Sequence, residues 1–173
     1  AAAARTSQLI SRWNPARIVL TGIAGAIGDQ LPIGSASSFD EVACFGIGVG
    51  GGEHFETASA AGWAQWGSDD AADSEDVLNV GDVLALNRRR SGGDVGYVSD
   101  TQQLLTCCAA SATSKDVELK RSCFPTAIAE DMEGFGAAMA CALAGVPFQI
   151  VRGISNVAGD RSKDRWMVHE ALE

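Results

Sequence analysis

Along the chain, short β-branched apolar runs alternate with longer segments of mixed polarity, and the alternation itself predicts the elements. Residues 1–13 read as a helix stopped by Asn14-Pro15, a pair that favours turns. Arg17 to Thr21 suits a buried strand, and Gly22-Ile-Ala-Gly25 reads as a tight turn leading off it toward a ligand crevice. Ser37 to Phe45 predicts a second strand, residues 46–52 a glycine-rich loop, and Glu53 to Trp66 a helix weakened by Gly62. An acidic loop is expected at Asp69 to Asp76, a strand at Val80 to Leu86, and a polar turn at Asn87 to Gly93 that holds Arg88, Arg89 and Arg90. Then come a strand at Leu104 to Ala110, a short helix at Asp116 to Ser122 and a strand at Ala127 to Met132. A helix follows at Glu133 to Ala144, closed by Gly145 and Pro147, then a buried strand at Phe148 to Ile154 and a last helix from Asp164. Strands alternating with helices predict one α/β layered domain over residues 1–173, with a largely parallel or mixed sheet.

Composition narrows the function classes more than it changes that picture. Aromatic residues make up only 6% of the 173, so small aliphatics, Ala and Gly must do most of the packing. The net charge of −9 repels phosphate backbones and anionic headgroups, which argues against nucleic acid and membrane surfaces as partners. No apolar run reaches the ~18–20 residues of a membrane span. Cys44, Cys107, Cys108, Cys123 and Cys141 are odd in number and form no CxxC pattern, so they read as reduced thiols of a cytoplasmic protein. The two histidines, His54 and His169, offer no second ligand at helical spacing, so no metal site is expected.

Two stretches carry the chemistry. Ala129-Glu-Asp-Met-Glu-Gly-Phe-Gly136 and Val151-Arg-Gly-Ile-Ser-Asn-Val-Ala-Gly-Asp-Arg161 are separated by one predicted helix. That arrangement is expected to bring Met132 and Glu133 to the same end of the sheet as Arg152 to Asn156, where open α/β sheets bind ligands. Taken singly, Glu133 reads as a carboxylate beside a helix N-terminus and Asn156 as a turn former. Taken together, a carboxylate, a guanidinium, a hydroxyl and an amide are tools for holding a ribose and a heterocycle.

The segments Asp131-Met-Glu-Gly134 and Arg152-Gly-Ile-Ser-Asn156 resemble the nucleoside phosphorylase family, which includes the methylthioadenosine/S-adenosylhomocysteine nucleosidases. Ser155-Asn-Val-Ala-Gly-Asp-Arg161, with Trp166 beyond, is most similar to the futalosine hydrolase branch, and Thr21-Gly-Ile-Ala-Gly25 to the family's glycine turn beside the ribose. The resemblance implies a three-layer α/β/α sandwich with a mixed central sheet, no cofactor, homo-oligomers, and cleavage of an N-glycosidic bond in a small-molecule purine nucleoside. Carried onto matching positions, it gives Glu133 the ribose hydroxyls and sets Met132 beneath the sugar, with Gly25 close to it. Ser111 falls where the family meets the base through its backbone, and Ser155 stands beside Asn156 in the matching segment. Arg152 is expected to orient the attacking water or a neighbouring carboxylate, and Asn156 to hydrogen-bond the departing purine. An amide at 156, where the adenine-specific nucleosidases have an Asp, favours a 6-oxopurine such as that of futalosine.

Both ends of the chain look cut: Ala1 stands in a helical pattern with no capping residue ahead of it, and Glu173 ends inside another. The resemblance implies that the family's first strands, with the acid that activates water, lie ahead of Ala1. Phosphorolysis, and a nucleoside-binding module without turnover, are therefore the alternatives to hydrolysis. A rival motif, Gly46-x-Gly48-x-x-Gly51, follows a predicted strand and precedes a predicted helix, as a dinucleotide fingerprint would. Five glycines in seven residues match such a pattern easily. Trp63 and Trp66 read as core or subunit interface, and Cys107 and Cys108 as structural thiols.

Overall fold

The sheet is built from strands buried on both faces, and their continuous apolar runs set its centre. A computed structural model describes residues 1–67, 79–86 and 101–173. Its strands are β1 (Ile18–Ala26), β2 (Ala36–Ser38), β3 (Glu41–Phe45), β4 (Gly48–Val49), β5 (Glu56–Thr57), β6 (Val83–Ala85), β7 (Gln103–Cys107), β8 (Ala127–Asp131) and β9 (Phe148–Val157). The α-helices are α1 (Ala2–Trp13), α2 (Ser114–Cys123), α3 (Gly134–Leu143) and α4 (Val168–Leu172). A seven-stranded mixed sheet runs in the order β2-β9-β1-β8-β7-β3-β6, and β4 with β5 forms a separate hairpin. The acidic loop at 69–76 and the arginine turn at 88–90 lie outside the described residues.

Helices cover both faces. Val42, Cys44 and Leu104 point to a core shared with Phe135, Ala137, Ala138 and Cys141 of α3, on which α1 packs. Their neighbours Ala43, Leu105 and Cys107 point the other way, to Val117 and Cys123 of α2 and to Phe124 beyond it. This period-two division of single strands between two helical layers is the expected α/β/α sandwich.

The sheet curls. β2 and β3 are joined only by Phe39 and Asp40, a span that reaches about 10 Å. Laid flat, the five strand steps between them would measure about 24 Å at ~4.8 Å each. Curling brings the edges together, and Ser37 Oγ donates to Gln102 Oε1 (2.7 Å) across the gap.

That curl explains the first correction to the predicted elements. The run 37–45 is not one strand, because the chain leaves the edge beside β9 and joins the far side beside β7. Second, Gly22 to Gly25 is not a turn; β1 continues through it, paired in parallel with β9 and then antiparallel with β8. Third, β8 and β9 run in opposite senses on either side of β1, so no parallel crossover brings their ends together. Fourth, residues 53–66 are a 3₁₀ turn, a short strand and further turns rather than a helix, which leaves Trp63 and Trp66 half exposed instead of buried in core. The glycine run at 46–52 makes a hairpin and does not lead from a strand into a helix, which removes the geometry a dinucleotide fingerprint needs. Smaller shifts have local causes. α2 begins at Ser114 because Thr113 and Asp116 form a reciprocal capping box, and Cys108 lies exposed beyond the end of β7.

Candidate functional site

Two rows of polar side chains cross β1, one at Gly22 and one at Gly25. In the first row, Arg152 on β9 is buried and level with Gly22. A Cβ on Gly22 would collide with Arg152 Nη1, and the backbone there has φ +152°, so the bare glycine is what lets the guanidinium lie across β1. Its Nη1 donates to the Thr21 carbonyl (3.0 Å), its Nε to Asp131 Oδ2 (3.1 Å), and its Nη2 to both Asp131 Oδ2 and Glu133 Oε2 (3.2 Å).

Asp131 is fully enclosed and meets more than the arginine. Thr106 Oγ1 donates to its Oδ1 (2.6 Å), and the Gly134 amide donates to Oδ2 (3.0 Å). The Phe135 amide donates in turn to Thr106 Oγ1 (2.7 Å). Asp131 and Thr106 thus satisfy the first free amides of α3, where the helix dipole also favours negative charge. Charge pairing and hydrogen bonds from several sides make this buried pair tolerable. Sequence reasoning gives Asp131 no role and misses Thr106, because apart from the nearby Gly134 amide the partners that define them, on β7, β8 and β9, meet only in the fold. Glu133 is different. Its side chain is 52% exposed, held on one side by the arginine and open on the other. Met132, beside it, is also exposed.

The second row lies level with Gly25. A register shift in β9 leaves Ser155 without a partner and pairs Asn156 with Gly25, which on its other side pairs with Glu130 of β8. A Cβ on Gly25 would come within 3.3 Å of Asn156 Nδ2, so the glycine leaves a notch beside the amide. Ser155 Oγ lies 2.8 Å from Asn156 Oδ1 and donates to it, while Nδ2 donates to the Val157 carbonyl (3.0 Å). The amide is thereby oriented with one lone pair of its oxygen taken and one N–H left to give.

On the far side of Gly25, Glu130 is buried, with Cys107 Sγ 3.9 Å from its Oε2, and receives three shorter donors. They are the Ser111 amide on Oε1 (2.7 Å), and Ser111 Oγ (2.7 Å) and Lys120 Nζ (2.8 Å) on Oε2. Ser111 is therefore buried and fixed, and its backbone N–H is already spent. Arg152 and Glu133 are brought together, as are Gly25, Ser155 and Asn156. Glu133 and Asn156 do not touch; three residue steps of β1, about 10 Å, lie between their rows.

Elsewhere, burial pushes the thiols of Cys44 and Cys107 up to about 12 and that of Cys141 to about 11, which leaves them protonated and unreactive. Among the described residues no group of His, Cys, Asp and Glu is placed to hold a metal ion, and no helix is long and apolar enough to cross a membrane. An open cleft of about 490 Å³ lies away from both rows, lined by Thr57, Asp82, Gln103 and Phe124 among others.

Residues 1–173 match the sequence profile of the phosphorylase superfamily. A futalosine hydrolase from Streptomyces coelicolor is 28% identical over 155 residues, which cover 90% of this chain and 60% of that protein. A 5'-methylthioadenosine/S-adenosylhomocysteine nucleosidase from Pseudoalteromonas translucida is 27% identical, covering 91% of this chain and 62% of that one. The chain thus spans less than two thirds of the length of these relatives. Among solved structures, the nucleosidase of the same kind from Colwellia psychrerythraea, in complex with adenine, superposes with a TM-score of 0.68 at 24% identity, over 99% of this chain and 66% of that one. The futalosine hydrolase of Helicobacter pylori gives 0.64 at 17%, over 99% and 69%. At those identities the structural likeness is one of fold.

Proposed function

Because this chain belongs to the phosphorylase superfamily, we propose that it serves hydrolysis of the N-glycosidic bond of a purine nucleoside, with a 6-oxopurine of the futalosine type preferred. The observation that carries this reading is the pair of half-open groups on β1's two rows: Glu133, held by buried Arg152, and Asn156, turned by Ser155 to present a donor.

Glu133 accepts from the ribose hydroxyls, with Met132 beneath the sugar and Gly25 close beside it. Cleavage passes through an oxocarbenium-like ribose, and hydrogen bonds to the 2-hydroxyl strengthen as that charge develops. Arg152 keeps the carboxylate aimed and balances the charge of Asp131 beneath it. Asn156 Nδ2 donates to the purine, which gathers negative charge as it leaves; a well-placed donor of this kind is worth about 3 kcal/mol. An amide donates to a 6-oxo group, and with one lone pair of its oxygen already taken by Ser155 it is a poorer acceptor for a 6-amino group. A homo-oligomer working in the cytoplasm without a cofactor completes the reading.

The test is base release by the intact protein from inosine, futalosine and methylthioadenosine, with and without phosphate. Phosphate-independent release of the 6-oxopurine compounds' bases is expected. Release only with phosphate would mark a phosphorylase, and binding without release a nucleoside-binding module.

A further inference from the structure

The hydrogen-bonding groups on the two sides of the Gly25 notch are opposite in kind. On the β9 side Asn156 presents a donor. On the other side every amide from 111 to 113 is already tied to a carboxylate. Ser111 donates to Glu130 (2.7 Å), and Ala112 and Thr113 donate to Asp116 Oδ2 (3.0 and 2.9 Å). The Ser111 hydroxyl is bound to Glu130 as well, and Lys120 Nζ reaches Glu130 Oε2, Ser111 Oγ and the Ala109 carbonyl within 2.9 Å. None of these three amides is left to donate to a base.

Position adds to this. Gly25 has Glu130 as its partner on one neighbouring strand and Asn156 on the other, so cross-strand neighbours place both on one level of the sheet. Two strand spacings separate them, about 10 Å, a width that a flat bicyclic base fills with a hydrogen bond at each edge. Lys120 and Glu130 are buried and paired, far inside what a surface ion pair would need. An ion pair at that depth contributes little net stability over apolar residues of the same shape.

We propose that Lys120 and Glu130 are positioning residues that set which purines the site accepts. By holding the Ser111 amide and hydroxyl they withhold donors from the base, so the wall favours a ring edge that donates, the N1–H of a 6-oxopurine, over the bare N1 acceptor of a 6-aminopurine. The inference rests on the nucleosidase reading and deepens it, and it is independent of Asn156 because it concerns the opposite wall.

The experiment compares kcat/KM for inosine and adenosine in the intact protein. The unaltered protein is expected to favour inosine by at least about tenfold, the scale on which an unpaired buried polar group discriminates. E130Q/K120M removes both charges but keeps an amide oxygen opposite the Ser111 N–H, and is expected to hold that ratio to within about threefold. E130L/K120M removes the acceptor as well and is expected to lower the ratio about tenfold or more. A pair that serves stability alone would leave both ratios in place or move them alike, and either result overturns the proposal.

Should E130L/K120M fail to fold, Asn156→Asp decides. With the polarity of the β9 side reversed and the clamp intact, adenosine is expected to remain at least about tenfold short of the rate the unaltered protein shows on inosine. Adenosine cleaved at that full rate would overturn the clamp. Release of base from none of inosine, adenosine, futalosine and methylthioadenosine by the unaltered protein would sink the nucleosidase reading and the clamp with it, whereas release with an unmoved ratio sinks the clamp alone.

Discussion

Arg152 occupies the space that a side chain on Gly22 would take, and through that gap it reaches Asp131 on the far side of the intervening strand. Gly22→Ala should therefore displace the guanidinium and strand a buried carboxylate. Breaking such a pair by removing one partner costs about 3–5 kcal/mol. Chemical denaturation of the variant is expected to show a loss of at least about 3 kcal/mol, several times the cost of an ordinary exposed Gly→Ala change. A loss under about 1 kcal/mol would mean that the guanidinium has another way across.

Glu133 separates function from stability. Its side chain is 52% exposed, so Glu133→Ala should leave the unfolding midpoint nearly unchanged. Turnover should fall at least about 10²-fold if the ribose contact strengthens in the transition state. Steady-state kinetics beside a thermal melt makes the comparison, and an unaffected kcat would remove Glu133 from the chemistry.

Ser155 occupies one lone pair of the Asn156 amide oxygen, and the Val157 carbonyl holds its Nδ2. In Ser155→Ala the amide loses the donor on its oxygen while Nδ2 stays on the Val157 carbonyl, so Oδ1 is free to accept as well. Preference for inosine over adenosine, measured as the ratio of kcat/KM, is expected to drop by about tenfold while the fold persists.

Asp82 gives a pH dependence whose sign follows from its surroundings. Burial raises its carboxyl, but hydrogen bonds from Gln65, Ser59 and Thr57 outweigh this and hold it below its ordinary 3.8. A carboxyl lowered on folding stabilises the ionised native state. Its contribution is complete above the unfolded value and is lost as pH falls through the lower, folded one. The denaturant midpoint of Asp82→Asn should accordingly lie below that of the unaltered protein at pH 7, and the gap should close as pH drops below about 4. A gap that stays constant down to pH 3 would contradict the assignment.

The thiols should react in order of access. Cys108 is exposed, Cys123 is half-buried, and Cys44, Cys107 and Cys141 are buried with thiols raised to about 11 or 12. A chromogenic thiol reagent at neutral pH is expected to modify Cys108 fastest and the three buried thiols only on unfolding.

What was legible in the sequence depended on how local its cause was. β8, α3 and β9 could be read because each is buried along its length and bounded by its own stop signals. The Gly22–Gly25 stretch misled, since glycines that usually signal a turn are here the gap a residue 130 positions away needs; only the pairing with Arg152 reveals that. The run 37–45 looked continuous because each half has strand character, and what splits it is the closing of the sheet. In the site, Glu133, Arg152 and Asn156 are legible through the two motifs they stand in and the family resemblance those motifs carry. Asp131, Thr106, Glu130 and Lys120 did not, because a buried polar group declares itself only through partners brought in by the fold.

The most direct test of the two-row site is a crystal structure of the intact protein with a non-hydrolysable 6-oxopurine nucleoside. The ribose hydroxyls are expected within hydrogen-bonding distance of the Glu133 carboxylate, with the base lying over Gly25 and its oxo or ring-nitrogen edge on Asn156 Nδ2. A nucleoside bound elsewhere, as in the cleft between Asp82 and Gln103, with both rows left empty, would contradict the account.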